Sequence, residues 1–197
     1  MTHLLTGAQP IACVEPERAD ASTRAFFSKA EDRFQDLLNV FKIFGHQPEY
    51  GHAFTNLILA ILKDGVLTWR MKELLILKTT LENNCAYCVT QHERVADMLG
   101  LSPTKVATLQ GTTYRSSLEF TVKERVLLDY VLQITENATQ ISPELWRELK
   151  TYCTEPEIVD ATFVISTYVS VSKFADALGL ELEDKFRNSE LKLQVAA

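Results

Sequence analysis

From Ser22 onward the chain repeats apolar residues at intervals of three and four, and nowhere alternates apolar with polar residues over the length of a strand. That feature restricts it to helices packed on helices. Phe26, Phe27, Ala30, Phe34, Leu37, Leu38, Phe41 and Phe44 share one helical face, with Gly45 as a stop. Pro48 sits where a first-turn proline belongs, ahead of a stripe of Phe54, Leu57, Ile58, Ile61 and Leu62 that ends near Gly65. Thr68 is placed to cap a third helix through Met71, Leu74, Leu75, Leu77 and Leu81. The Asn83–Asn84 pair interrupts it. Asparagine is a good N-cap, so a fourth helix is expected from about Cys85 to Leu99, closed by Gly100.

The same signals continue to the end of the chain. Ser102-Pro103 opens a short helix, residues 111–120 read as a connector, and Thr121 with Glu124 forms a capping box. Ser142-Pro143 opens another short helix, and Thr154 with Glu157 forms a second box. The segment from Ile158 to Leu178 is apolar on almost every side, which predicts the buried centre of a bundle or a subunit interface. Its β-branched run lies between a capping box and the stop Gly179, so it is read as helix. The expected fold is all-α with seven or eight helices. Residues 1–20 are read as a mobile or loosely docked arm, residues 21–197 as one domain, and the charged tail from Glu181 as helical at first and frayed at its end.

Composition narrows the function. At 197 residues and 46% hydrophobic the chain can bury a sizeable single core, and 7 Gly with 6 Pro are too few for a turn-rich β-sandwich. A net charge of −6 argues against a nucleic-acid partner and, more weakly, against an anionic membrane surface. No apolar run approaches the length of a membrane span, and the first residues lack the basic start and apolar run of a signal peptide. The expected location is the cytoplasm, where a free dithiol stays reduced.

The chemistry concentrates in the fourth helix. Cys85, Cys88 and His92 fall at i, i+3 and i+7, on one face within two turns. Unpaired N–H groups and the helix dipole favour a thiolate in a first turn, and the thiolate is the nucleophile. His92 follows Cys88 by four residues and can serve that sulfur as base or proton relay. If the third and fourth helices fold back on one another at Asn83–Asn84, Glu73 and His92 lie about eight to ten residues either side of the turn. They are then level, and a Glu–His–Cys relay follows the logic of nucleophile, base and orienter. Cys13 and Cys153 stand alone.

This spacing, Glu73, eleven residues, Cys85, two residues, Cys88, three residues, His92, resembles the signature of the alkyl hydroperoxidase D branch of the carboxymuconolactone decarboxylase family. The resemblance runs from about Pro48 to Leu109, through Leu67 to Glu73 (LTWRMKE) and Asn84 to Cys88 (NCAYC), and more weakly through Phe120 to Glu124 and Ser142 to Leu178. It implies an all-helical bundle that assembles as a homo-oligomer, often a trimer or hexamer. It further implies a thiol peroxidase acting on hydrogen peroxide or organic hydroperoxides without a cofactor or metal. Cys88 would attack the peroxide, Cys85 would resolve the sulfenic acid as a disulfide, and Glu73 with His92 would relay the proton. A thiol or disulfide reductase would supply the electrons. Some members carry histidine between the cysteines; here it is Tyr87. The strict decarboxylase branch lacks the cysteine pair, so that activity is not carried over.

Plainer readings compete. The thiols could form a non-enzymatic redox sensor, or could bind zinc with His92 and Glu73 in an assembly protein. A third reading is a lactone or keto-acid enzyme that would survive loss of both cysteines. Taken alone, Tyr87, Trp69 and Trp146 read as packing residues, His46 and His52 as structural, and the Phe26–Phe44 stripe as core or interface before substrate pocket.

Overall fold

The computed structural model describes residues 9–186, and among these there are nine α-helices and no strand. Residues 1–8 of the N-terminal arm and 187–197 of the charged tail lie outside the described residues. The helices are α1 (Ala21–Phe34), α2 (Asn39–Ile43), α3 (Pro48–Ile61), α4 (Trp69–Glu82), α5 (Ala86–Met98), α6 (Pro103–Ala107), α7 (Val122–Asn137), α8 (Pro143–Tyr152) and α9 (Glu155–Ala177). The fold class is thus the all-α one expected, and the ninth helix, α2, is the one not separated in the sequence.

The cap residues act as their chemistry predicts. Thr68 accepts from the Met71 amide, Ser102 from Lys105 and Ser142 from Leu145. Both capping boxes close reciprocally, Thr121 with Glu124 and Thr154 with Glu157. Gly100 and Gly179 take positive φ just past α5 and α9, and the next amides reach back to Ala96 and Ala175.

Three expectations are corrected. The aromatic stripe from Phe26 to Phe44 is not one helix: α1 stops at Phe34, Gln35 turns left-handed at φ 56°, and the chain restarts as α2. Periodicity alone could not show this, because Phe34 and Phe41 still meet across the break, their rings stacked 5.4 Å apart. Second, Asn84 does not cap α5. It takes φ 55° as the left-handed residue of a Schellman turn, with the Cys85 amide bonded to the Thr80 carbonyl, and Cys85 itself is the N-cap. Third, of the two places expected for α9, the bundle's centre is taken by α4 instead. Every residue from Lys72 to Leu81 is buried, and α4 packs against α5, α7 and α9. On α9, by contrast, Val159 and Phe163 stand exposed. By length and composition α9 could cross a membrane, yet Ala161, Val164, Ile165 and Tyr168 are buried within the bundle.

A central helix can carry Lys, Glu and Thr only if their polar atoms find partners. Thr79 and Thr80 bond back to the Leu75 and Leu77 carbonyls. Lys72 reaches the Lys63 carbonyl and Asp160. Lys78, fully buried, donates to Glu82 at 2.6 Å and to the carbonyls of Leu109 and Gly111 at 3.1 and 2.5 Å, pinning the segment after α6 to the core. Lys78→Met should therefore lower unfolding stability by about 2–4 kcal/mol, by stranding those acceptors. An unchanged urea midpoint would contradict that role. The α1–α3 contact depends on Gly51, where a Cβ would come within 2.5 Å of the Phe26 ring.

Residues 9–20 run over the surface of this bundle. The Val14 amide bonds to the Lys42 carbonyl, His46 pairs with the Ala12 carbonyl, and Ala19 is buried.

Candidate active site

The Schellman turn at the end of α4 sends the chain directly into α5, which folds back along α4 with Cys85 at its mouth. The Cys85 sulfur accepts the Cys88 amide at 3.4 Å and lies 2.8 Å from the Cys88 sulfur; both thiols are free. The two sulfurs need only a small approach to reach bonding distance. They are not equivalent. Cys88 lines a cavity of about 250 Å³, whereas Cys85 is completely buried and is not among the lining residues. The hydrogen bond to Cys88 and, next, burial push the Cys85 thiol far above the free-thiol range. Asp176 of α9 also interacts with Cys85, and burial raises its carboxyl above the ordinary value. Alkylation at neutral pH should therefore modify Cys88 before Cys85, as read by peptide mass mapping; the reverse order would contradict this geometry.

Folding back brings Glu73 and His92 level, as counting from the turn suggested. His92 Nδ1 lies 2.6 Å from Glu73 Oε1, with Glu73 wholly buried and His92 8% exposed. A carboxylate can only accept, so Nδ1 carries the proton and Nε2 is left for exchange. Glu73 Oε2 is buried without a hydrogen-bond partner among the described residues. The four residues singled out from the sequence thus form two close pairs, and His92 lines the same cavity as Cys88.

Several neighbours escaped the sequence reading. Tyr168 of α9 sets its ring edge-on to His92 with centroids 4.8 Å apart and also lines the cavity. Burial, with the nearby charges of Glu73 and Cys88, raises its hydroxyl well above the ordinary tyrosine range. Tyr87 is more than packing. Its hydroxyl accepts the Val40 amide and donates to Glu183, each at 3.0 Å. Glu183 also takes the Asn39 amide at 2.6 Å and Gln91 at 2.5 Å, so the segment after α9 is tied across the dithiol helix. Phe34, Phe41 and Trp69 line the cavity, which gives part of the aromatic stripe and one tryptophan a place at the site. His52 hydrogen-bonds Ser22 and stands against Phe26, away from this cluster. Tyr168 and Glu183 carry no spacing signal toward the dithiol, because they come from elements far away in the chain.

Among the described residues no group of three or more His, Cys, Asp or Glu side chains is arranged to hold a metal ion, so the zinc alternative gains no support here.

By its match to solved structures the all-α bundle has the alkyl hydroperoxidase D-like fold. Residues 48–115 match the model of the Carboxymuconolactone decarboxylase family. Solved structures agree on the fold. The alkylhydroperoxidase AhpD core of an uncharacterized peroxidase-related protein from Ralstonia eutropha JMP134 superposes with a TM-score of 0.78 at 21% identity, covering 89% of this chain and 93% of that one. A protein of unknown function from Agrobacterium tumefaciens, a putative antioxidant defence protein AhpD, gives 0.65 at 26% identity over 71% and 94%. The debrominase Bmp8, solved in complex with 2,3,4-tribromopyrrole, gives 0.79 at 17% identity over 91% and 95%. A search of curated proteins returned no match.

Proposed function

We propose that this protein is a thiol-dependent peroxidase that reduces hydrogen peroxide or organic hydroperoxides through a Cys85/Cys88 dithiol–disulfide cycle. The observation that carries the reading is the 2.8 Å approach of the two sulfurs, with Cys88 lining a cavity that His92, held by Glu73, also lines. The Cys88 thiolate attacks the terminal peroxide oxygen. The O–O bond breaks, the sulfur becomes a sulfenic acid, and the departing alkoxide takes a proton through His92, giving an alcohol, or water from hydrogen peroxide. Cys85 then attacks the Cys88 sulfur. A disulfide forms, hydroxide leaves, and the Cys85 proton goes to it as water. A dithiol reductant returns two electrons and two protons to close the cycle.

The buried position of Cys85, off the cavity that Cys88 lines, suits the resolving role. The protein is further proposed to act as a homo-oligomer, a trimer or hexamer, which would cover Val159 and Phe163 on α9 and Trp146 and Tyr152 on α8. The test is consumption of hydrogen peroxide and cumene hydroperoxide with dithiothreitol in excess. Continuous turnover supports the enzyme. Oxidation that stops after one equivalent despite the reductant points instead to the redox sensor.

The aromatic lining of the cavity favours one second reading, that the same dithiol removes bromine from a halogenated ring, as the name of one structural neighbour says of that protein. Bromide release from tribromopyrrole, with no peroxide turnover, would select it.

A further inference from the structure

Arg33 and Arg94 are the two acidic-or-basic side chains, His92 aside, that line the Cys88 cavity, in a chain whose net charge is −6. No carboxylate lines it. Arg33 ends α1, donates to the Leu62 carbonyl at 2.6 Å, and holds its guanidinium 4.4 Å from the centre of the Trp69 ring. Arg94, on the dithiol helix, lies 3.5 Å over the Phe186 ring and 3.4 Å from the Gln91 side-chain oxygen. Neither has a carboxylate partner among the described residues, and both are exposed, so they stand at the mouth. A guanidinium seated on an aromatic face is pre-oriented and keeps donors free for an anion. Trp69 also carries a buried indole N–H without an acceptor among the described residues. Between mouth and thiol the walls are apolar, with Phe34, Phe41 and Phe54. Arg94 follows Cys88 by six residues, an axial rise of about 9 Å along the helix.

We infer that the substrate is an organic hydroperoxide with an apolar, ring-bearing body and a carboxylate that pairs with Arg33 and Arg94 while the peroxide meets Cys88. This rests on the peroxidase reading above and adds its substrate class. The carboxylate is a spectator. The O–O bond still breaks onto the Cys88 sulfur, and the product is the hydroxy acid.

The experiment uses the full chain and three peroxides: hydrogen peroxide, the para-carboxylate of cumene hydroperoxide, and the methyl ester of that acid, with dithiothreitol as reductant. In parallel, calorimetry measures binding of the tertiary alcohols that correspond to the acid and to the ester. Exposed charge pairs are modest, so the acid should exceed the ester by about fivefold in kcat/KM and in affinity. In Arg33→Gln/Arg94→Gln the acid-to-ester ratio should fall toward one. Because this is a ratio within one variant, a general loss of folding or activity does not mimic it. Equal handling of acid and ester by wild type, with turnover intact, overturns the substrate class and leaves the peroxidase standing. A preference that survives in the double variant overturns the role of the arginines. Arginine-dependent binding of the acid without turnover of any peroxide keeps the anion site and overturns the peroxidase. Loss of both overturns both.

Discussion

Cys88→Ser is expected to lose peroxide turnover by at least about a thousandfold, because an alcohol cannot take the peroxide oxygen as a thiolate does. Cys88 rather than Cys85 is the expected point of attack, since it alone of the two lines the cavity. Cys85→Ser should separate the roles. Without added thiol, wild type and Cys85→Ser should each consume one equivalent of peroxide, but with different products. Wild type should end as the Cys85–Cys88 disulfide, with the mass of two hydrogens lost. The variant should end as a Cys88 sulfenic acid that a dione reagent traps. Steady-state turnover in Cys88→Ser equal to wild type would sink the assignment. A dione adduct on Cys85 in peroxide-treated Cys88→Ser would invert it.

Glu73→Gln should lower turnover by about 10²-fold while the protein stays folded. The amide oxygen can still accept from His92 Nδ1, but the negative charge that orients the ring and holds its proton is gone. Glu73→Ala should do more. It removes the partner of a buried ring and opens a hole beside α9, where Tyr168 stands edge-on to His92, so unfolding stability should fall by about 3–5 kcal/mol. Wild-type kcat/KM in Glu73→Gln would place the Glu73–His92 pair outside the chemistry and leave it a structural contact.

Most of the secondary structure was legible because caps and stops are local. Ser, Thr and Pro at helix starts, glycine past helix ends and two capping boxes each act within a turn of their own position. The Glu73–His92 contact was legible for a related reason. One tight turn joins α4 to α5, so counting from the turn suffices to set the level of residues on two neighbouring helices. The break at Gln35 was not legible, since its apolar residues keep their spacing on either side and still face the same interior. Nor was the centrality of α4. Its lysines, threonines and glutamate look solvated until the carbonyls and carboxylates that receive them are in view.

The sequence by itself determined an all-α chain, the start of most of its helices, and a cysteine pair aligned with a histidine and a glutamate. These follow from periodicity, capping chemistry and the geometry of a single helix. Only the tertiary structure decided which cysteine meets the cavity, that Tyr168 closes against His92, that Glu183 ties Tyr87 and Gln91, and that two arginines guard the entrance. Those contacts join α1, α5, α9 and the segment after it. Their separation in sequence is bridged by burial of apolar surface, which is non-directional and writes no local spacing into the chain.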